Sequence, residues 1–274
     1  MTAGAVLRLA AGHLAGRAGD TPRLDAEILL ADVLGVDRLG LYTGHDRPLT
    51  REETDAYRAA IARRAGGEPV AYIVGRRAFR RLDLSVTRDV LIPRPETEVL
   101  VEWAVEVAAP GGAALDWGTG SGAVALALAA ERQDLAVTGI DRSEAALAVA
   151  RGNDPAGRVE WLVSDGFAAL GGRRFAVIAA NPPYLAEDDL ARAPAELGFE
   201  PREALVAGPS GLEALERLAA EAPGHLEPGG WLLTEVGAGQ DAAVRRLLEA
   251  AGLTAVAARE DLAGMPRILG GRLG

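Results

Sequence analysis

From residue 113 onward short apolar runs alternate with alanine- and leucine-rich stretches of helical length, and this alternation limits the fold more than any other feature. Residues 113–116 read as a buried strand, 121–132 as a helix, 135–141 as a strand and 143–151 as a helix. Further strands are expected over 159–165, 175–180 and 230–236, then a helix over 240–251 and two last strands over 253–258 and 267–271. Repeated strand–helix units require crossover connections. Crossovers produce parallel strands, and a parallel sheet needs helices on both faces. The expected fold class is α/β.

The first 75 residues follow a different period. Leu7, Leu9, Ala10 and Leu14 recur at helical spacing, and Asp25 to Leu34 repeats the pattern up to a stop at Gly35. Thr50-Arg-Glu-Glu53 is a capping box: the Thr hydroxyl and the Glu carboxylate each satisfy a free N–H at a helix start. That helix should run to about Arg64 and end at Gly66-Gly67. We therefore expect a small helical bundle over 1–75, a substrate-docking domain. A β-hairpin linker follows over 76–90, where Phe79, Leu82, Leu84 and Val86 partly alternate with polar residues. The main domain spans 91–274. It opens on Leu91-Ile-Pro-Arg-Pro-Glu-Thr-Glu98, whose two prolines hold the chain extended ahead of a helix starting near Thr97.

The chain has 274 residues, no cysteine and a formal net charge of −10. Without cysteine there is no disulfide scaffold, no Cys-based zinc site and no Cys nucleophile, and no metal is expected. Arg8, His13 and Arg17 interrupt the opening apolar stretch, so no signal peptide is expected, and no apolar run reaches membrane-spanning length. The expectation is a soluble cytoplasmic protein, taken as a monomer. A chain that grips bare nucleic acid usually carries a basic field, so the acidic balance tilts toward a protein or small-molecule substrate. The pairs Arg63-Arg64, Arg76-Arg77, Arg80-Arg81 and Arg173-Arg174 read as solvated surface cations, and His13, His45 and His225 as surface or structural residues.

The chemistry-bearing residues fall at strand ends. Asp116-Trp-Gly-Thr-Gly-Ser-Gly122 closes one strand and opens a helix. Gly118, Gly120 and Gly122 let backbone approach a ligand, and the helix start offers free N–H groups, with Thr119 inside the turn. Alone, such a turn is equally a tight strand-to-helix connection. Asp141 ends the next strand, where a carboxylate can accept from both hydroxyls of a ribose. Asp116, ahead of the glycines, suits an amino group rather than a pyrophosphate. Together the two acids point to a nucleoside-type ligand. Asp165 ends the third strand, near Gly166 and Phe167. It suits an adenine amino group, or a helix N-cap, and the two readings are compatible.

Asn181-Pro-Pro-Tyr184 follows the fourth strand. Pro182 and Pro183 fix the backbone and remove two N–H donors. The Asn181 side-chain oxygen and the Pro182 carbonyl are then two acceptors at fixed positions, which suits the two hydrogens of an NH₂ group. Holding both leaves the nitrogen lone pair aimed in a third direction, as an in-line transfer to nitrogen requires. The Tyr184 ring can pack on a planar substrate group or near a cationic sulfur. A proline-rich turn is the plain alternative.

This motif set resembles the class I methyltransferases that modify glutamine in peptide-chain release factors, the PrmC (HemK) family. The resemblance is carried by Gly67-Glu-Pro-Val-Ala-Tyr-Ile-Val-Gly75, Leu91 to Glu98, Asp116 to Gly122, Asn181 to Tyr184, Phe199-Glu-Pro-Arg-Glu-Ala-Leu205, and Asp261-Leu-Ala-Gly264 with Arg267. It implies a Rossmann-like catalytic domain with a seven-stranded, mostly parallel sheet, and S-adenosylmethionine as methyl donor. It implies as substrate the glutamine of a Gly-Gly-Gln tip on a class 1 release factor, methylated at N5. By position, Asn181, Pro182 and Pro183 would hold the amide, with Tyr184 beside it. Asp116, Gly118, Gly120 and Asp141 would hold the donor, with Asp165 at its adenine end. Arg94, Pro95, Glu96 and Thr97 would wall the site, an ordinary ion pair being the competing reading for Arg94 and Glu96. Trp117 stands where the family often has Leu, and Ala180 where Ser is common.

Asn-Pro-Pro-Tyr is shared with adenine-N6 methyltransferases, whose target amine also presents two hydrogens. A glutamine methyltransferase of a ribosomal protein is a nearer alternative, differing in the Ile92 to Glu98 segment. A non-catalytic adenosyl-binding protein on the same fold is a third.

Overall fold

The computed structural model describes every residue of the chain except Ala18 and Leu262, the latter within the Asp261–Gly264 motif. The chain divides into two compact units, Met1–Arg76 with Pro194–Phe199, and Arg77–Ala193 with Glu200–Gly274.

The first unit holds α1 (Ala3–Leu14), α2 (Pro22–Leu34), α3 (Arg38–Thr43), α4 (Arg51–Ala65) and α5 (Val70–Val74). Leu14, Leu29, Leu30, Tyr57 and Ile61 form its core. The capping box at α4 is present: Glu53 N donates to Thr50 Oγ1 (3.2 Å) and Thr50 N donates to Glu53 Oε2 (2.9 Å). Arg64 departs from the surface reading. It is buried, and its guanidinium reaches Asp25 Oδ2 and Glu196 Oε1, both at 2.6 Å. A buried guanidinium requires paired carboxylates. One of the two lies 132 residues away in the chain, out of reach of a local sequence argument.

Next in the chain come a hairpin, β1 (Arg76–Phe79) and β2 (Leu82–Ser85), all of it but Arg76 in the second unit, and α6 (Thr97–Val107). Then come β3 (Ala113–Trp117), α7 (Ala123–Glu131), β4 (Ala136–Asp141), α8 (Glu144–Gly152), β5 (Val159–Val163) and β6 (Phe175–Ala180). After them lie β7 (Leu185–Ala186), α9 (Glu187–Leu190), α10 (Arg202–Leu205), β8 (Val206–Gly208) and α11 (Glu213–Glu221). The unit closes with β9 (Leu226–Glu235), α12 (Asp241–Ala250), β10 (Leu253–Glu260) and β11 (Pro266–Leu273).

Among the described residues the main sheet has seven strands in the order β10-β11-β9-β6-β3-β4-β5. All neighbours from β9 to β5 are parallel, while β11 is antiparallel to both β9 and β10. Successive strand residues point to opposite faces. Ala114 and Val177 thus join Leu100, Val101 and Leu128 of α6 and α7 on one side. Leu115 and Ile178 join Leu215, Leu218, Val244 and Leu248 of α11 and α12 on the other. Every residue of β6 is buried, as a central parallel strand covered on both faces must be.

The order of connection decides where a ligand fits. From β3 the chain steps outward to β4 and β5, then returns to lay β6 on the other side of β3. The helices that follow β3 and β6 diverge at this reversal and leave a crevice beyond the carboxyl ends of the strands.

Candidate active site

A cavity of about 390 Å³ opens at that crevice, a volume suited to a small-molecule ligand. Its wall includes Thr97, Asp116, Gly118, Thr119, Gly120, Asp141, Asp165, Asn181, Pro182 and Pro183, brought together from five segments of the chain.

The glycine turn is tied to the end of β4. Gly118 N and Thr119 N both donate to Ile140 O (3.0 and 2.8 Å), and Gly120 N donates to Asp141 Oδ2 (2.9 Å). Gly118 and Gly120 have φ of 73° and 54°, where a side chain is strained, and a Cβ on either would stand in open space. The turn therefore presents bare backbone to the cavity. Asp116 Oδ2 accepts from Thr119 Oγ1 (2.6 Å) and Ala125 N (3.0 Å). Burial of this carboxyl pushes it up to about 7. Asp141 is also raised by burial, although Ser143 N donates to its Oδ1 (2.9 Å).

Asn181 follows β6. Its Nδ2 donates to Thr97 Oγ1 (3.1 Å), and Thr97 Oγ1 donates to Glu235 Oε2 (2.6 Å). Asn181 Oδ1 is buried and has no hydrogen-bond partner among the described residues. A buried carbonyl oxygen without a donor is unfavourable by ~1–3 kcal/mol, so a native site that keeps one is arranged for a donor from outside the chain.

Six of the residues singled out by sequence lie off the cavity wall: Gly122, Phe167, Tyr184, Arg94, Pro95 and Glu96. Gly122 has φ 84°, and a Cβ there would come within 2.9 Å of the Trp161 ring, so close packing demands the glycine. Phe167 stacks on His225 at 4.6 Å between ring centroids and belongs to the core beneath the sheet. Tyr184 is held by its backbone, whose carbonyl accepts from Gln240 Nε2 (3.0 Å), and burial pushes its hydroxyl up to about 12. Arg94 pairs with Glu200 Oε1 (2.6 Å) rather than with Glu96, which occupies the cap position of α6. Asp165 does line the cavity, but its exposed carboxylate pairs with Arg217 (2.6 Å) and caps no helix. Ser164 Oγ takes the N–H of Ala169 instead.

Two side chains matter here that local sequence arguments pass over. Glu235 closes β9 and is 2% exposed, and burial pushes it up to about 7. Glu200 is buried and accepts from both Arg94 and Ile92 N (3.0 Å), clamping the proline-rich segment. An acid at the end of an apolar strand was a usable signal for Glu235, the same one that marks Asp116 and Asp141. Trp117 Nε1 is buried without a partner among the described residues, and its ring lies 6.5 Å from that of Phe167.

Two sequence-family profiles match the chain, the PrmC N-terminal domain over residues 5–75 and the methyltransferase small domain over 95–198. A release factor glutamine methyltransferase of Burkholderia pseudomallei is 48% identical over 270 residues, covering 94% of each chain. One of Geobacter sulfurreducens is 42% identical over 272 residues, covering 98% of this chain and 96% of its own. The chain belongs to the release factor glutamine methyltransferase family. The wider fold is shared with a methyltransferase of Pyrococcus furiosus, 19% identical with a TM-score of 0.54, over 79% of this chain and 98% of that one. Membership of the release factor glutamine methyltransferase family extends over both units, since the matched relatives span nearly the whole length. Among the described residues no helix is long and apolar enough to cross a membrane, and no group of acids and histidines could hold a metal ion.

Proposed function

We propose that this protein transfers the methyl group of S-adenosylmethionine to the side-chain N5 of the glutamine in the Gly-Gly-Gln motif of class 1 peptide-chain release factors. The observation that carries this reading is the unpartnered, buried Oδ1 of Asn181 on the cavity wall. It is an acceptor awaiting an N–H.

The residues present fit the methyl donor. Asp116 is a buried carboxylate whose raised protonation a ligand ammonium would reverse. The glycine turn leaves open space for a ligand chain, and each oxygen of Asp141 keeps a lone pair for a ribose hydroxyl. Asp165 and Gly166 line the same cavity and would face the adenine of a bound donor. When bound, the donor supplies an electrophilic methyl group on a sulfonium.

The chain's own residues supply orientation. Asn181 Oδ1 and the Pro182 carbonyl accept the two N–H hydrogens of the glutamine amide. An amide nitrogen is a weak nucleophile because its lone pair is delocalised into the carbonyl. Accepting both hydrogens raises electron density on nitrogen and turns the lone pair toward the methyl carbon. No base is needed before attack, and the proton leaves to water afterwards. Arg94 acts from behind the wall through Glu200, and the backbone after the Asn-Pro-Pro turn is anchored where Gln240 Nε2 donates to the Tyr184 carbonyl. The N-terminal unit docks the protein substrate.

Replacement of Asn181 by Ala tests the reading. Methyl transfer should fall by about 10²–10³-fold, the usual loss when one aligned polar group at a reacting centre is removed. Binding of S-adenosylhomocysteine should persist. Transfer at the parent rate would remove the basis of the proposal.

A further inference from the structure

A side-chain amide has two faces, an oxygen and an NH₂, of nearly the same shape. Asn181 can serve as an acceptor only if its oxygen, and not its nitrogen, meets the substrate. Something must choose between the two orientations, and the backbone does not.

The choice is made by a chain of two hydrogen bonds from other elements. Thr97, the first residue of α6, is 4% exposed, and Glu235, the last residue of β9, is 2% exposed. Thr97 Oγ1 lies 2.6 Å from Glu235 Oε2 and 3.1 Å from Asn181 Nδ2. A carboxylate can only accept. When Glu235 is ionised the single hydroxyl hydrogen of Thr97 is therefore committed to it, and Thr97 faces Asn181 with lone pairs alone. The Asn181 NH₂ satisfies them. The flipped amide would set oxygen against oxygen and lose a buried hydrogen bond.

We infer that Thr97 and Glu235 are positioning residues that fix the acceptor orientation of Asn181, so that a buried acid sets the polarity of the substrate-amide site through one hydroxyl. The inference rests on the proposed glutamine-amide reading of the cavity and names the part of the chain that makes it selective for N–H donors. A substrate group that only accepts hydrogen bonds would be refused there.

The groups facing Glu235 are Thr97 and Glu96 at the start of α6, Arg94 ahead of them, Tyr184 after β6, and Arg267 on β11. Burial and Glu96 raise Glu235, while the Thr97 hydrogen bond and the two arginines oppose that rise. With the group near 7, measurements belong at about pH 8.5, where it is ionised.

The chain contains two asparagines, Asn153 and Asn181, so ¹⁵N-asparagine labelling yields two side-chain amide pairs. The pair from Asn181 is assigned by its loss in Asn181→Asp. In the parent, one Asn181 proton should exchange slowly with solvent, and Thr97→Val should abolish that protection. With release factor as substrate, Thr97→Val should lower kcat by about 10- to 100-fold, as loss of one buried hydrogen bond to a reacting-site group does. S-adenosylhomocysteine binding serves as the check on folding and should stay within about threefold of the parent, because the Thr97 hydroxyl bonds Glu235 and Asn181 and, among the described residues, no hydrogen bond ties it to Asp116, Asp141 or the glycine turn. Thr97→Ser keeps the hydroxyl and should restore both readouts. Glu235→Gln can accept or donate toward Thr97, no longer imposes a polarity, and should lower kcat even if Thr97→Val folds poorly. Unchanged amide protection in Thr97→Val, or kcat within about twofold of the parent in both Thr97→Val and Glu235→Gln, would overturn the inference. A parent enzyme that methylates no release factor would instead sink the substrate reading, and the amide spectrum would still decide the orientation claim.

Discussion

Asp116 is where burial and ligand charge meet. Its carboxyl is pushed up to about 7 by desolvation, and Asp141 nearby adds to the rise. A cationic ammonium reverses this, so binding of the methyl donor below about pH 7 must release a proton. Donor affinity should therefore weaken by up to ~tenfold per pH unit below 7, with little change above, measurable by calorimetry between about pH 5.5 and 8.5. Asp116→Asn should flatten that dependence and bind the donor poorly at every pH. The same shift bears on stability. A carboxyl raised in the folded state favours folding at low pH, and its contribution is lost as pH rises from the unfolded value near 4 through about 7. Asp116→Asn should thus raise the melting temperature of the ligand-free protein at pH 8, and a drop there would contradict the assignment. Asp116, Asp141 and Asn181 were legible because each closes or directly follows an apolar strand, with a glycine turn after Asp116 and a proline turn after Asn181. Glu235 closes a strand in the same way, ahead of Gly237 and Gly239, and so carried the same signal. The Thr97 hydroxyl gains its role only from two residues 84 and 138 positions away.

At the scale of elements, the proline-rich segment ahead of α6 depends on a residue from a distant loop. Glu200 takes the N–H of Ile92 and the guanidinium of Arg94, and its side chain is almost wholly buried. Glu200→Ala would leave both donors without a partner, at a cost of about 3 kcal/mol. Chemical denaturation should show that loss, and a change below about 0.5 kcal/mol would mean the clamp is incidental. Strand positions were readable to within a few residues because the apolar runs are short and each is followed by a turn or a helix. The short α5, α9 and α10, with the β7–β8 pair, were not. They are too brief to carry a period, and contacts from elsewhere in the chain decide their conformation. The helix α11 buries Leu215, Leu218 and Ala219 at helical spacing, a pattern that the surrounding loop-like composition hides.

For the whole molecule, the connection order places the cavity. The return from β5 to β6 creates the crevice, and every candidate residue on its wall comes from the second unit. The α/β class followed from the strand–helix alternation, whereas the strand order, set by packing across the sheet, did not. If the N-terminal unit serves docking, deletion of the residues before Gly67 should spare S-adenosylhomocysteine binding and abolish transfer to an intact release factor. Full transfer by the shortened chain would dismiss that role. The central claim, that this cavity methylates a glutamine amide held by Asn181, is tested most directly by mass spectrometry of a purified class 1 release factor incubated with the protein and S-adenosylmethionine. The account predicts one added methyl group on the glutamine of the Gly-Gly-Gln peptide, absent with Asn181→Ala. An unmodified glutamine, with donor binding shown separately, would contradict it.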